Sequence, residues 1–323
     1  MKIENPHDKF FKETFGDIAV ARDFLNHYLP TELIRQVDMK SLEPQKDSFV
    51  NKDLEENFSD LLFKANFQGT EGYFYFLFEH KSYPSKNIML QLLKYMTEIW
   101  DAKAQKENEW QLPLVIPLVM YHGKTRWNAP LRLKDMMQGN TNIPKEMENY
   151  IPDFEYLLFD FSHRSDEEIL GEAMLKMYLV MIRAFSKTTD EDILPTIRKA
   201  LYYLEEFESK EKGIDYLETM MRYVFSVHQN ISEEDLVHVV EQIETTYPEG
   251  GDVIMTLAGV YMEKGKKEGK EEGKKEGKRE GKLEGKLEVT KNLLTKGFSV
   301  EDIVEVTGLE REQIEEIKSE IKD

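Results

Sequence analysis

The chain has 323 residues, no cysteine and a formal charge of −19 at pH 7, from 43 Lys and Arg against 62 Asp and Glu. Without cysteine there is neither a disulfide framework nor a thiolate metal site, and the length supports a substantial core and about two domains. The acidic excess gives no overall attraction to a polyanion, so any binding of nucleic acid must rest on a local site.

Met1-Lys-Ile-Glu-Asn-Pro-His7 carries no apolar segment of the signal-peptide type, and no apolar run reaches the roughly 18 to 20 residues that span a bilayer. A cytoplasmic protein is expected. Phe10, Phe11, Phe15 and Ile18 form an amphipathic stretch, with Asp8 placed as its N-cap.

Phe58 to Phe67 reads as a strand containing Asp60, and the run Tyr73 to Phe78 as a second, apolar enough to be buried on both faces. This run leads directly into Glu79-His80-Lys81. Side-chain alternation sends Glu79 and Lys81 to one side and His80 to the other. A two-residue type II′ turn at Gly69-Thr70 would pair residue 60 with residue 79, whereas a longer loop would shift the register.

Two carboxylates and an ammonium in one patch suit phosphodiester hydrolysis. Mg²⁺ takes oxygen ligands, often only one or two carboxylates, and leaves positions for water and phosphate. Asp60 and Glu79, helped by the backbone carbonyl of His80, are the candidate ligands for Mg²⁺, with Mn²⁺ as the other suitable ion. Lys81 is assigned to stabilising developing charge, because an ordinary lysine pKa of about 10.4 disfavours a role as base. The competing reading is a solvated cross-strand ion pair.

Asn87 to Gln105 has helical periodicity, with Gln91 and Tyr95 one turn apart on one face. Leu112 to Tyr121 is a β-rich run with two prolines, ending at His122-Gly123, and His122 is placed either in a simple turn or near phosphate. Pro130 to Pro152 is polar with short helical pieces, and Glu155 to Phe161 reads as one more strand. From Ser165 to about Glu263 the pattern is helical, most clearly over Ala173 to Phe185 and Leu217 to Val227.

Gly265, Gly269, Gly273, Gly277, Gly281 and Gly285 then recur every four residues, each followed by Lys. One reading is a flexible charged linker. The other is a helix whose glycine stripe lets a second copy approach in parallel, Lys flank against Glu flank. Beyond it, Asn292 to Glu310 and the helix from Arg311 form a small helix-turn-helix-like module, with Gly297 and Gly308 at C-cap positions and Ser299 opening a helix.

Asp60 followed by Glu79-x-Lys81 after an apolar strand resembles the PD-(D/E)XK nuclease motif, and Gln91-x-x-x-Tyr95 resembles the supporting element of its RecB-like members. Taken with His7-Asp-Lys-Phe-Phe-Lys12, Phe78-Glu-His-Lys-Ser82, Ile116 to Gly123 with Trp127, and the Gly-Lys tail, the chain resembles the Rpn family of recombination-promoting nucleases, also called YhgA-like transposases. Phe58-Ser59 precedes Asp60 where the motif's name would place proline.

The resemblance implies an α/β fold with a restriction-endonuclease-like mixed sheet flanked by helices, and a metal-dependent DNA endonuclease active in recombination, mobile-element or defence biology. It assigns Asp60, Glu79, Lys81 and Gln91 to the site, with Tyr95 and an acidic residue of the first helix, Asp8 or Glu13, in support. The implied organisation is a nuclease core over 1–128, a mostly helical extension over 129–263 with an added strand near 155–161, the repeat over 264–288, and the small module over 289–323. DNA and a second copy of the chain are the expected partners. Two alternatives stand beside this: a non-catalytic oligomeric binding or regulatory protein on a nuclease scaffold, and a DDE-type transposase drawing a third carboxylate from a downstream helix, Asp160 or Glu172.

Overall fold

A computed structural model describes residues 5–45, 59–79, 85–107, 111–137, 144–187, 193–227 and 233–321. The chain divides into two compact units, Met1–Leu257 and Ala258–Asp323.

The first unit is built on a five-stranded mixed sheet in the order β1-β2-β3-β4-β5. β1 (Val37–Gln45), β2 (Ser59–Phe67) and β3 (Thr70–Glu79) form an antiparallel meander, and β4 (Leu114–Tyr121) and β5 (Leu157–Asp160) continue it in parallel. A parallel neighbour requires a crossover, supplied between β3 and β4 by a helix at Ile88–Glu107. With α1 (Pro6–Phe15), α2 (Ile18–Tyr28) and the short α3 (Thr31–Ile34) preceding the sheet, this crossover is α4. The α/β class, with its sheet flanked by helices, is the one expected. β1, an edge strand with a bulge between Asp38 and Glu43, gave no clear signal in the sequence.

The β2–β3 hairpin turns at Gln68-Gly69, one residue earlier than the Gly69-Thr70 turn anticipated. Gln68 and Gly69 have φ of 52° and 92°, the type I′ pattern, and the Asn66 side-chain oxygen accepts from the Gly69 amide at 2.5 Å. Asp60 therefore pairs with Leu77 rather than with residue 79. The shift is two positions, so strand parity is unchanged and positions 60, 75 and 77 share one side. Gly72 is required here, because a Cβ at that position would lie 2.6 Å from the Phe67 ring.

Both faces are covered, which is why Tyr73 to Phe78 reads as an unbroken apolar run. On one face Tyr73, Tyr75, Leu77 and Val119 pack against Ile88, Leu92, Tyr95 and Ile99 of α4. On the other, Phe15 and Phe24 meet Phe76 at 6.0 and 5.8 Å between ring centroids, and Phe24 meets Phe159 at 5.0 Å.

The amphipathic stretch near the start is two helices, broken at Gly16, with Asp17 capping the second through the Ala19 amide. Asp8 is not the N-cap of the first. Pro6 begins α1 after Asn5, and Asp8 sits within the first turn, where its charge suits the helix dipole.

Helices α5 (Ala173–Lys187), α6 (Leu194–Tyr202), α7 (Lys210–Val227) and α8 (Glu233–Thr246) follow, and α9 (Pro248–Thr295) runs through the four-residue repeat. In the second unit α10 (Val300–Thr307) and α11 (Arg311–Glu320) enclose a small core of Val300, Ile303, Leu309 and Ile314. Ser299 caps α10, and Gly297 and Gly308 take the positive φ expected of C-cap glycines. Among the described residues no helix is long and apolar enough to cross a membrane.

Candidate active site

Asp60 is the second residue of β2, at the open end of the hairpin. Strand alternation places it on the α4 face, where the Tyr75 hydroxyl donates to its Oδ2 at 2.9 Å. Tyr75 is buried, and its ring stacks on Tyr95 with centroids 4.9 Å apart and planes at 30°. Burial, reinforced by the Asp60 charge, pushes the Tyr75 hydroxyl well above its ordinary pKa, and the same two causes raise Tyr95. Tyr75 is therefore a fixed neutral donor to Asp60. The sequence reading missed it, although its position two residues before Leu77 and four before Glu79 on an alternating strand is the signal that could have found it.

Gln91 and Tyr95 lie one turn apart on α4, as their spacing predicts. The Gln91 side-chain nitrogen is buried and has no hydrogen-bond partner among the described residues. An amide nitrogen donates, so it fits a water or a phosphate oxygen better than a cation. Glu98 continues the same stripe and adds to the upward shift of Tyr95.

Glu79 ends β3, its backbone in register with Tyr121 of β4, and its neighbours His80 and Lys81 lie outside the described residues. Asp160 of β5 is in register with Tyr121 in turn. Its carboxylate accepts from the Ser162 amide at 2.9 Å and the Ser162 hydroxyl, and from the Trp127 amide at 3.3 Å. The DDE alternative wanted a helical third carboxylate. Asp160 is on a strand and serves to tie down a loop, while Glu172 is exposed ahead of α5. No cluster of three or more His, Cys, Asp or Glu suited to a metal occurs among the described residues.

Asp8 is carried by α1 on the other side of the sheet, where its charge contributes to the raised pKa of the buried Tyr178 hydroxyl. His122 is also turned to that side. It is 3% exposed, with its ring 5.6 Å from that of His7, whose Nδ1 lies 2.8 Å from the Tyr223 hydroxyl.

The described part of the site thus holds one strand carboxylate steadied by a neutral hydroxyl, a stacked tyrosine pair and a buried amide donor without a partner. Among the described residues Asp60 is the carboxylate that could serve a hard cation, which needs only one or two, and the Gln91 side-chain nitrogen suits an anion or a water.

The family described as "Putative transposase, YhgA-like" matches residues 5–215. The chain belongs to this family. Among its relatives, recombination-promoting nuclease RpnC of Escherichia coli K12 is 30% identical over 97% of this chain and 96% of its own length. Recombination-promoting nuclease RpnA of the same strain is 25% identical, covering 96% of both chains. A third relative there, 25% identical over 81% of this chain and 83% of its own, is named the inactive recombination-promoting nuclease-like protein RpnE. No solved structure matches. Membership places the chain among recombination-promoting nucleases and their inactive relatives.

Proposed function

We propose that this protein is a metal-dependent DNA endonuclease acting in the cytoplasm in DNA recombination, mobile-element or defence biology. The observation that carries the reading is Asp60 held by the Tyr75 hydroxyl on the face covered by α4, the helix that also carries Gln91, whose buried side-chain nitrogen has no partner among the described residues. Asp60 and Glu79, with the His80 carbonyl, hold Mg²⁺ or Mn²⁺. A divalent ion bound there supplies charge neutralisation at the phosphate and a more acidic water. Tyr75 keeps the Asp60 carboxylate in one orientation, Gln91 donates to a phosphate oxygen or the attacking water, and Lys81 stabilises charge on the reacting phosphate. Tyr95 fixes the Tyr75 ring by stacking.

The test is cleavage of supercoiled plasmid with Mg²⁺, with EDTA and the Asp60→Ala and Lys81→Ala variants as controls. Loss in all three controls is expected. Equal cleavage by wild type and both variants would remove Asp60 and Lys81 from the chemistry. The inactive name of one relative favours the non-catalytic scaffold as the second reading, and absence of cleavage with either ion would select it.

We further propose that two copies pair in parallel along α9. A Cβ built at any of the six repeat glycines from Gly265 to Gly285 meets nothing within 4 Å, so the stripe is open to a close partner. Sedimentation should give a dimer that dissociates when Gly273 and Gly277 are replaced by Leu, and an unchanged mass would end this proposal.

A further inference from the structure

The acidic chain must meet an acidic substrate, so the question is which cations near Asp60 remain available. Between Glu109 and Asp135 the sequence contains no Asp or Glu, while Lys124, Arg126, Arg132 and Lys134 fall within it. Two of these are already neutralised. Arg132 pairs with Asp153 at 2.6 Å and Glu155 at 3.4 Å, and Lys134 with Glu148 at 2.7 Å. Lys124 and Arg126 are exposed and have no ion-pair partner among the described residues.

Their loop leaves the sheet at Tyr121, in register with Glu79, and is pinned at the residues that alternate with them. The Tyr121 hydroxyl donates to the Thr125 carbonyl at 2.9 Å. The Trp127 amide donates to Asp160, its indole N–H donates to the Tyr156 hydroxyl at 2.9 Å, and its ring meets Tyr121 edge-on at 4.9 Å. Tyr156 in turn donates to the Pro130 carbonyl at 3.0 Å. Thr125 and Trp127 are thus anchored, and Lys124 and Arg126 between and beside them face solvent. Three residues of chain extend at most about 10 to 11 Å, so Lys124 stays within that distance of the strand end next to β3.

We propose that Lys124 and Arg126 form a preorganised cationic clamp that holds the phosphodiester backbone of duplex DNA beside the Asp60 site. The inference rests on the nuclease reading for its choice of ligand. It gives a purpose to the Asp160 carboxylate, which spends its acceptors on the loop. It also reconciles a charge of −19 with a polyanionic substrate: the attraction is local, and the two exposed cations are held in the right place before binding, which lowers the ordering cost.

The experiment is fluorescence anisotropy of a labelled DNA duplex with the full chain in EDTA, across a salt series. Wild type is compared with Lys124→Gln/Arg126→Gln and with Lys212→Gln, an exposed lysine of α7 used as a control. Each phosphate contact contributes about 0.9 to the slope of log K against log salt, so the double variant should show a slope shallower by about 1.8, with the control matching wild type. Equal thermal unfolding of the three proteins excludes a folding cause. Identical slopes for wild type and double variant, or no duplex binding by wild type, would overturn the clamp. Mg²⁺-dependent cleavage by wild type alongside identical slopes would sink the clamp and leave the nuclease reading standing. A shallower slope without cleavage at any metal would do the reverse.

Discussion

The two ends of the β2–β3 hairpin each carry a carboxylate and a tyrosine on the α4 face, and at both the tyrosine hydroxyl donates to the carboxylate. At the turn end, Glu71 accepts from Tyr73 at 2.8 Å and pairs with Lys103 at 2.6 Å and Lys64 at 3.1 Å. Its two lysines outweigh the cost of partial burial and hold its carboxyl down to about 2, while burial pushes the Tyr73 hydroxyl up to about 12. At the open end, Asp60 accepts from the neutral hydroxyl of Tyr75, backed by Tyr95. Ammonium groups satisfy a carboxylate's charge as well as its lone pairs. A hydroxyl supplies orientation without charge, so the Tyr75 contact fixes the Asp60 carboxylate, whereas the lysines at Glu71 also act on its charge.

Substitution at the open end should sharpen this contrast most. Asp60→Asn keeps the size and the contact with Tyr75 but removes the charge, and cleavage should disappear while the melting temperature stays close to wild type. Retained cleavage in that variant would place the chemistry elsewhere. Tyr75→Phe tests orientation by itself. The ring stack on Tyr95 survives, the donor to Asp60 is lost, and cleavage or metal affinity should fall by about 10- to 100-fold, as for outer groups that orient metal ligands. If the Phe variant cleaves as well as wild type, the hydroxyl is merely satisfied by Asp60 and does not position it.

Much of the open end was legible because strand periodicity and short motifs are local. The Asp60 strand, the Glu79 strand end and the Gln91 to Tyr95 helix all follow from alternation or from a one-turn spacing. The turn was misplaced because Gly69 is compatible with the second position of a type I′ turn as well as the first of a type II′, and only Gln68's willingness to take a positive φ decides between them. An error of an even number of residues leaves strand parity unchanged, so Asp60 lies on the face of Tyr75 in either register. Caps and first-turn acids have the same composition, so the sequence places Asp8 at a cap, and the Pro6 start that separates the two depends on Asn5 adopting φ of 48°. The Glu71 clamp was not legible at all. Lys103 arrives from α4, 32 residues away in sequence, and nothing local announces the meeting. The Trp127 anchor to Asp160 is hidden for the same reason, spanning 33 residues.

The smallest expected effect lies at the turn end. Glu71 has a folded pKa below its ordinary value, so the stability it contributes is fully present above about pH 4.5 and is lost as the pH falls from there towards about 2. Glu71→Gln removes that contribution and leaves Lys64 and Lys103 facing a neutral amide. Because the Glu71 side chain is 38% exposed, solvent screening makes the loss at neutral pH modest. The variant's melting temperature should therefore sit slightly below wild type at pH 7 and converge on it as the pH drops through this window, while plasmid cleavage at pH 7 is unchanged. A gap that persists undiminished near pH 2.5 would mean that the cluster stabilises through packing of the lysine stems over the Tyr73 ring, where Lys103 lies 5.5 Å from the centroid, and not through charge. A fall in cleavage would mean that the two ends of the hairpin are coupled, and that the clamp fixes α4 and with it Gln91 and Tyr95.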